Sequence, residues 1–239
     1  MVNNHTVSAY DEELALLDKK IAQMGGLTEH NLARAFDALV KRDPRLADEV
    51  IKSDREIDGL QLSIEEQVIQ MIARRQPMAD DLRHIMAALK IAGDLERIGD
   101  LGKNIAKRVL AIANENFPRQ LMFGLQHMVE RALNQLKDAL DAYGERNADL
   151  AKQVWREDAQ IDVMYNSVFR ELLTYMMEDP RNIGFCTHLL FGAKNLERIG
   201  DHTTNIAEIV CFLVNGEGIS EDRPKGDNTS TTLFTPDER

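Results

Sequence analysis

Eight carboxylates in this chain fall into four pairs of one spacing. Glu96 and Asp100, and again Glu197 and Asp201, read E-x-x-x-D; Asp54 and Asp58, and again Asp158 and Asp162, read D-x-x-x-D. On a helix, a spacing of four stacks two side chains on one face. At about 100° per residue, Glu96 and Asp100 continue the stripe of Leu82, Ile85, Leu89 and Ala92. The acids therefore stand where a core-facing line should go on. Asp54 and Asp58 lie beside the line through Ile51, Leu62 and Ile69, and Asp158 and Asp162 sit between Trp155 and Phe169. Glu197 and Asp201 extend Leu190 and Ala193 in the same way.

Two antiparallel helices can gather four such acids. At about 5 Å and an effective dielectric of about 20, each ionised pair repels by roughly 3 kcal/mol. Protonation or a cation must relieve that repulsion. Oxygen-only ligation suits hard ions such as Mg²⁺, Ca²⁺ or Mn²⁺, with iron also admissible. Alternatively, the acids lie at a rim and pair with Arg55, Arg97, Lys194 or Arg198. Asn104 and Asn205 continue the line by a further step of four, as amide ligands or as ordinary surface asparagines.

Residues for catalysis are sparse. The six histidines (His5, His30, His84, His127, His188 and His202) do not recur at matching places, and only His202, beside Asp201, is a candidate acid or base. There is no E-x-x-H pair of the di-iron kind, no phosphate-binding loop, no nucleophile elbow and no dinucleotide fingerprint. The leading expectation is a non-enzymatic adaptor with no catalytic residues. The alternative is a carboxylate-bridged metalloenzyme, a hydrolase or oxidase, which needs an open coordination position and an acid or base outside the ligand set. A purely structural bundle is the third possibility.

The elements that must position these acids are written twice. Leu95-Glu-Arg-Ile-Gly-Asp100 returns unchanged as Leu196-Glu-Arg-Ile-Gly-Asp201, each followed by an Asn-Ile-Ala at Asn104 and Asn205. Asp54-x-x-Ile57-Asp58 matches Asp158-x-x-Ile161-Asp162, Leu46-Ala47 matches Leu150-Ala151, and Met24 matches Met128. Such a period is too long for a solenoid unit and marks a duplicated domain.

Each copy reads as three helices. In the first, a helix capped by Ser8 runs to about Lys41, with Gly25-Gly26 marking a bend or a close crossing. Asp43-Pro44 starts a second helix, Gln76-Pro77 breaks it, and a third ends near Ala113. Asn114–Pro118 links the copies. In the second, helices span roughly Pro118–Gly144, Asn147–Glu178 and Arg181–Val214, and Asn215-Gly-Glu-Gly218 stops the last. Mid-helix Gly99 and Gly200 each cost about 1 kcal/mol against alanine, so something must approach their backbone closely. The predicted fold is all-α, two tandem three-helix bundles: residues 8–115 and 116–215, flanked by a loose N-terminus at 1–7 and a disordered polar tail at 216–239.

Composition agrees. Glycine (14), proline (6) and aromatics (5%) are scarce, and hydrophobic residues reach 44%. A net charge of −11 argues against a nucleic-acid partner. No run approaches about 18 apolar residues and no leader pattern opens the chain, so a cytoplasmic protein is expected. Cys186 and Cys211 lie on one helix, too far apart for a disulfide, and read as reduced core thiols.

The doubled Leu-Glu-Arg-Ile-Gly-Asp, with Met24-Gly-Gly26, Arg74-Arg-Gln-Pro77, Asp81-Leu-Arg83 and Thr174-Tyr-Met-Met-Glu-Asp179, resembles the PhoU family over about residues 8–214. The resemblance implies paired three-helix bundles with pseudo-twofold symmetry. It also implies multinuclear clusters of Mg, Mn, Fe or Zn at Asp54, Asp58, Glu96 and Asp100 and at Asp158, Asp162, Glu197 and Asp201. It implies a homodimeric repressor of the phosphate-starvation response, bridging the ATPase subunit of an ABC phosphate transporter and a sensor histidine kinase. Such a protein meets the membrane only through its partners. Asn195 departs from the family pattern set by Asp94, outside the acid pair.

Overall fold

The computed structural model describes residues 3–113, 115, 118–221 and 223, with side chains described from residue 10 onward except at 119. All the regular structure among them is helical: α1 (Asn3–Lys41), α2 (Pro44–Arg75), α3 (Ala79–Ile112), α4 (Met122–Glu145), α5 (Ala148–Arg156), α6 (Ala159–Glu178) and α7 (Ile183–Asn215). Short 3₁₀ turns at Arg119–Leu121 and Pro180–Asn182 lead into α4 and α7. No helix among the described residues is long and apolar enough to cross a membrane.

The first bundle packs α1, α2 and α3 together, and the second packs α4, α5, α6 and α7. The bundles join where α3 lies along α7 and α1 along α4. Local chemistry explains the helix limits. Asp43 Oδ1 accepts from Arg45 N at 2.9 Å and Leu46 N at 3.3 Å, with Pro44 at the first helical position. Such a cap contributes about 1 kcal/mol. Gln76, in the left-handed region at φ 49°, ends α2 before Pro77. Gly216 ends α7 at φ 75°, a conformation that a side chain would strain.

Several boundaries differ from expectation. Helix α1 begins at Asn3, so Ser8 lies inside it rather than capping it, and the loose N-terminus does not extend to residue 7. Residues 1 and 2, and 114, 116 and 117 of the linker, lie outside the described residues. Helix α1 runs without a break through Gly25-Gly26, and a Cβ on Gly25 would come 2.7 Å from Leu140 Cδ1, so the glycine permits the close crossing with α4.

The helix expected from Asn147 to Glu178 is broken at Glu157 and Asp158, where the backbone tightens. Asp158 N donates to Trp155 O at 3.5 Å and Gln160 N to Glu157 O at 3.1 Å, an i to i−3 pattern. An ion pair from Arg131 holds Glu157 at this turn. Neither glycine nor proline marks the break. On α2 the core line is Ala47, Val50, Asp54, Ile57, Ile64, Val68 and Met71. Leu62 and Ile69, expected on that line, are 59% and 67% exposed.

Candidate functional site

Each bundle brings its acids to one seam between two helices. In the first, Asp54 stands on the core line of α2, only 3% exposed, against α3. Gly99 makes that approach possible: a Cβ there would lie 3.0 Å from Ile57 Cδ1 and 3.2 Å from Asp54 Oδ1. In the second, Gly200 faces Ile161, whose Cδ1 would be 2.9 Å from an added Cβ. The two mid-helix glycines thus serve the close packing of the acid-bearing helices.

The acids feel one another. Burial raises the Glu96 carboxyl above its ordinary range, and Asp100, Asp58 and Asp54 raise it further while Arg97 opposes them. Asp54 is also raised, by burial first and then by Asp58 and Asp100, against the lowering effect of Lys103. Glu197 is raised by burial, by Asp201 and by Asp162, with Lys194 opposing. The structure therefore gathers Asp54, Asp58, Glu96 and Asp100 at one seam and Asp162, Glu197 and Asp201 at the other.

Asp158 joins the second seam through a cation. Arg223 Nε donates to Asp158 Oδ2 at 2.7 Å, and its Nη2 donates to Asp158 Oδ1 at 3.1 Å and to Asp201 Oδ1 at 2.8 Å. Nη2 also reaches the Asp201 carbonyl at 3.2 Å, and Nη1 reaches Asn205 Oδ1 at 3.3 Å. Thr204 Oγ1 donates to Asp158 Oδ1 at 2.8 Å. In the first seam the cation is Lys103, whose ammonium bridges Asp54 and Asp100. Burial alone would lower the Lys103 pKa, but hydrogen bonds to Asp100 and Asp54 outweigh it and hold the pKa above the lysine range.

Of the cations offered by the sequence, Arg97 approaches Glu96 at 3.4 Å and Asp100 at 3.8 Å, and Lys194 pairs with Glu197 at 2.9 Å. Lys103 and Arg223, which hold Asp54 and Asp158, are not among them. Lys103 carried a legible signal, three residues after Asp100 on one helix face. Arg223 carried none: it lies beyond the repeat, in a stretch expected to be disordered. Residues 216–221 and 223 of that stretch are in fact positioned, and Ile219 packs half-buried against the core. Residues 222 and 224–239 lie outside the described residues.

His202 does not face the acids beside it. Its Nδ1 lies 2.8 Å from Asp94 Oδ1, which also accepts from Asn205 Nδ2 at 3.2 Å, so both tie α7 to α3. Asn205 is thus neither a surface residue nor a lone ligand.

The implied metal ions can be tested against these residues. The donors are hard oxygens, and Glu197 Oε2 is buried with no hydrogen-bond partner, both suited to a hard cation. The placement is not: among the described residues, no three Asp, Glu, His or Cys side chains converge as an ion cage. The positive charge at each seam comes from the chain itself. With Lys103 and Arg223 in place the residues do not fit a metal ion.

Comparison with known proteins gives one family. The PhoU domain matches twice, over residues 21–109 and 125–210, one match for each bundle. The chain is 54% identical over 231 residues to the phosphate-specific transport system accessory protein PhoU homolog of Rhizobium meliloti (strain 1021), covering 97% of this chain and 98% of that one. It is 49% identical to the homolog of the same name from Caulobacter vibrioides, covering 95% and 98%. The crystal structure of PhoU from Pseudomonas aeruginosa superposes with a TM-score of 0.84 at 38% identity, over 87% of this chain and all of that one. The phosphate transport system regulatory protein PhoU from Streptococcus pneumoniae gives 0.82 at 30% identity, over 89% of this chain and all of that one. The chain belongs to the PhoU family.

Proposed function

From that membership, we propose that this protein is a non-enzymatic regulator of phosphate uptake. It represses the phosphate-starvation response when phosphate is plentiful, as an adaptor between the ATPase subunit of an ABC phosphate transporter and a sensor histidine kinase. The observation that carries this reading is the likeness, nearly end to end, to proteins named as accessory to phosphate-specific transport, with both copies of the signature intact.

The alternative, a carboxylate-bridged hydrolase or oxidase, is the less favoured reading: its candidate acid or base, His202, has Nδ1 2.8 Å from Asp94 Oδ1 at the joint between bundles.

The test is a phosphate-starvation reporter in a host lacking its own copy of this protein. The wild-type chain restores repression in high phosphate. Glu197→Gln with Asp201→Asn gives a helical protein with impaired repression, and Glu96→Gln with Asp100→Asn impairs it to its own degree. A wild-type chain that leaves the reporter fully active would overturn the adaptor reading. Full repression by the fourfold variant would instead show that the acids are dispensable to it.

A further inference from the structure

The duplication makes two equivalent grooves where α3 and α7 lie against each other, and among the described residues only one of them holds a ring capped by a cation. The two helices run antiparallel, so Arg108 meets Phe191 at one end of their contact and Met86 comes beside Phe212 at the other. In the first groove the Phe191 ring lies under Arg108, whose Cζ is 4.5 Å from the ring centroid. In the repeat, Lys90 takes the place of Phe191 and Ile209 that of Arg108. The second groove thus has a cation where the first has its ring, and an aliphatic wall where the first has its cation.

What is left is a cavity of ≈ 260 Å³. Met86 and Ala87 of α3 and Ile209 and Phe212 of α7 give it apolar walls, with Lys90 and Glu208 at its edge. These walls are more apolar than those of the occupied groove: Met86 and Phe212 stand at the places of Thr187 and Ala111. Glu208 is engaged elsewhere, its Oε1 accepting from Trp155 Nε1 at 3.0 Å. Lys90 is exposed and forms no ion pair among the described residues. The groove therefore offers apolar walls beside an unpaired ammonium. The face of an aromatic ring, negative in its quadrupole, complements both at once. An aliphatic group would gain nothing from Lys90, and a bare carboxylate nothing from the walls.

We propose that this groove is a docking site for one aromatic side chain of a protein partner, its ring seated between Met86, Ile209 and Phe212 and facing the Lys90 ammonium. This rests on the adaptor reading given above, which requires surfaces that partners can grip. The occupied groove argues for a side chain, because there the same space holds a ring delivered by a polypeptide. An aromatic anchor in a preformed pocket is the usual centre of a protein interface. Since Phe191 occupies the other groove, the duplicated protein presents one such site rather than two.

Methyl-detected NMR titration of the full-length protein with N-acetylphenylalaninamide, and with N-acetylleucinamide as control, tests the site. Saturable shifts appear at Met86 and Ile209 with the aromatic probe, and the leucine probe binds about tenfold more weakly. Lys90→Phe with Ile209→Arg gives the open groove the pair that occupies its mate, and the shift at Met86 is lost. Phe191→Ala empties the mate, and a second site appears at Thr187, a gain that misfolding cannot mimic. In the phosphate-starvation reporter, Lys90→Phe with Ile209→Arg impairs repression several-fold, while circular dichroism shows the variant folded. No shift at Met86 in wild type, or equal affinity for the two probes, overturns the ring site. Ring binding that is lost in the double variant while repression stays intact shows a pocket for free aromatic compounds and overturns the docking role. A wild-type chain that does not repress overturns the adaptor reading and the docking role with it, while the titration still decides whether the groove takes a ring.

Discussion

Asp94 and His202 hold the two bundles together at a place where the copies differ. Asp94 Oδ1, on α3, meets His202 Nδ1, on α7, at 2.8 Å, and Asn205 Nδ2 joins at 3.2 Å. Their repeat equivalents are Asn195, Leu101 and Asn104, so the charged tie is made once, not twice. Asp94→Ala leaves the His202 and Asn205 donors without this acceptor, which costs about 1–3 kcal/mol. Asn195→Ala costs less, because hydrogen bonds to a charged acceptor are the stronger ones. Urea unfolding should show a lower midpoint for Asp94→Ala at unchanged slope; equal midpoints for the two variants would remove the tie from the account.

The other joint, α1 against α4, carries an acid-sensitive group. His84 Nε2 and the Tyr143 hydroxyl both lie 2.6 Å from Asp18 Oδ1, and Arg146 Nη2 lies 3.8 Å from Oδ2. Burial pushes the Asp18 pKa up, but the hydrogen bonds and the charges of His84 and Arg146 prevail and hold it below the usual range. A depressed folded pKa gives stability that is present above the unfolded value, about 3.9 for aspartate, and is lost as pH falls through the folded one. Tyr143 is raised, by burial first and then by Asp18, so its contribution is present below the unfolded value of about 10 and lost above it. Asp18→Asn therefore flattens the acid limb of the stability profile. Glu96, Asp54 and Glu197 are raised and act in the opposite sense, so the difference between variant and wild type is the quantity to read. An unchanged difference in urea midpoint between about pH 6 and about pH 3 would show that Asp18 titrates alike folded and unfolded.

Periodicity and repetition made much of this legible. A six-residue identity placed the duplication, and an acid in an apolar stripe revealed Asp54, Glu96 and Glu197 as buried or half-buried. What failed has physical causes. Leu62 and Ile69 share a face with Ile51, but apolar residues on two neighbouring faces of α2 leave a single-helix projection unable to say which one meets α3. The break at Glu157 arises from tertiary bonds made by its neighbours, not from a helix-breaking residue. Arg223 is far in sequence from the acids it holds and lies outside the repeat, so no spacing rule reaches it.

The first seam makes the sharpest stability prediction, because Lys103 pairs with Asp54, a buried acid. Lys103→Met keeps the stem and removes the charge, leaving Asp54 and Asp100 to repel each other with Glu96 and Asp58 close by. Breaking a buried pair costs about 3–5 kcal/mol, and the lower end applies because Asp100 retains 32% of its side-chain exposure. Removing the second charge as well should repair much of this: Lys103→Met with Asp54→Asn no longer buries an unpaired carboxylate at that point. The double variant is therefore expected to be more stable than Lys103→Met alone, the reverse of additivity for two damaging changes. Added Mn²⁺ should raise the melting temperature of Lys103→Met more than that of wild type, since an ion that binds only the folded chain stabilises it by mass action. The cycle is read by urea midpoints of the four proteins, with thermal melts at millimolar Mn²⁺. If Lys103→Met proves as stable as wild type and indifferent to Mn²⁺, the charge of Lys103 is not what keeps the acids of the first seam together.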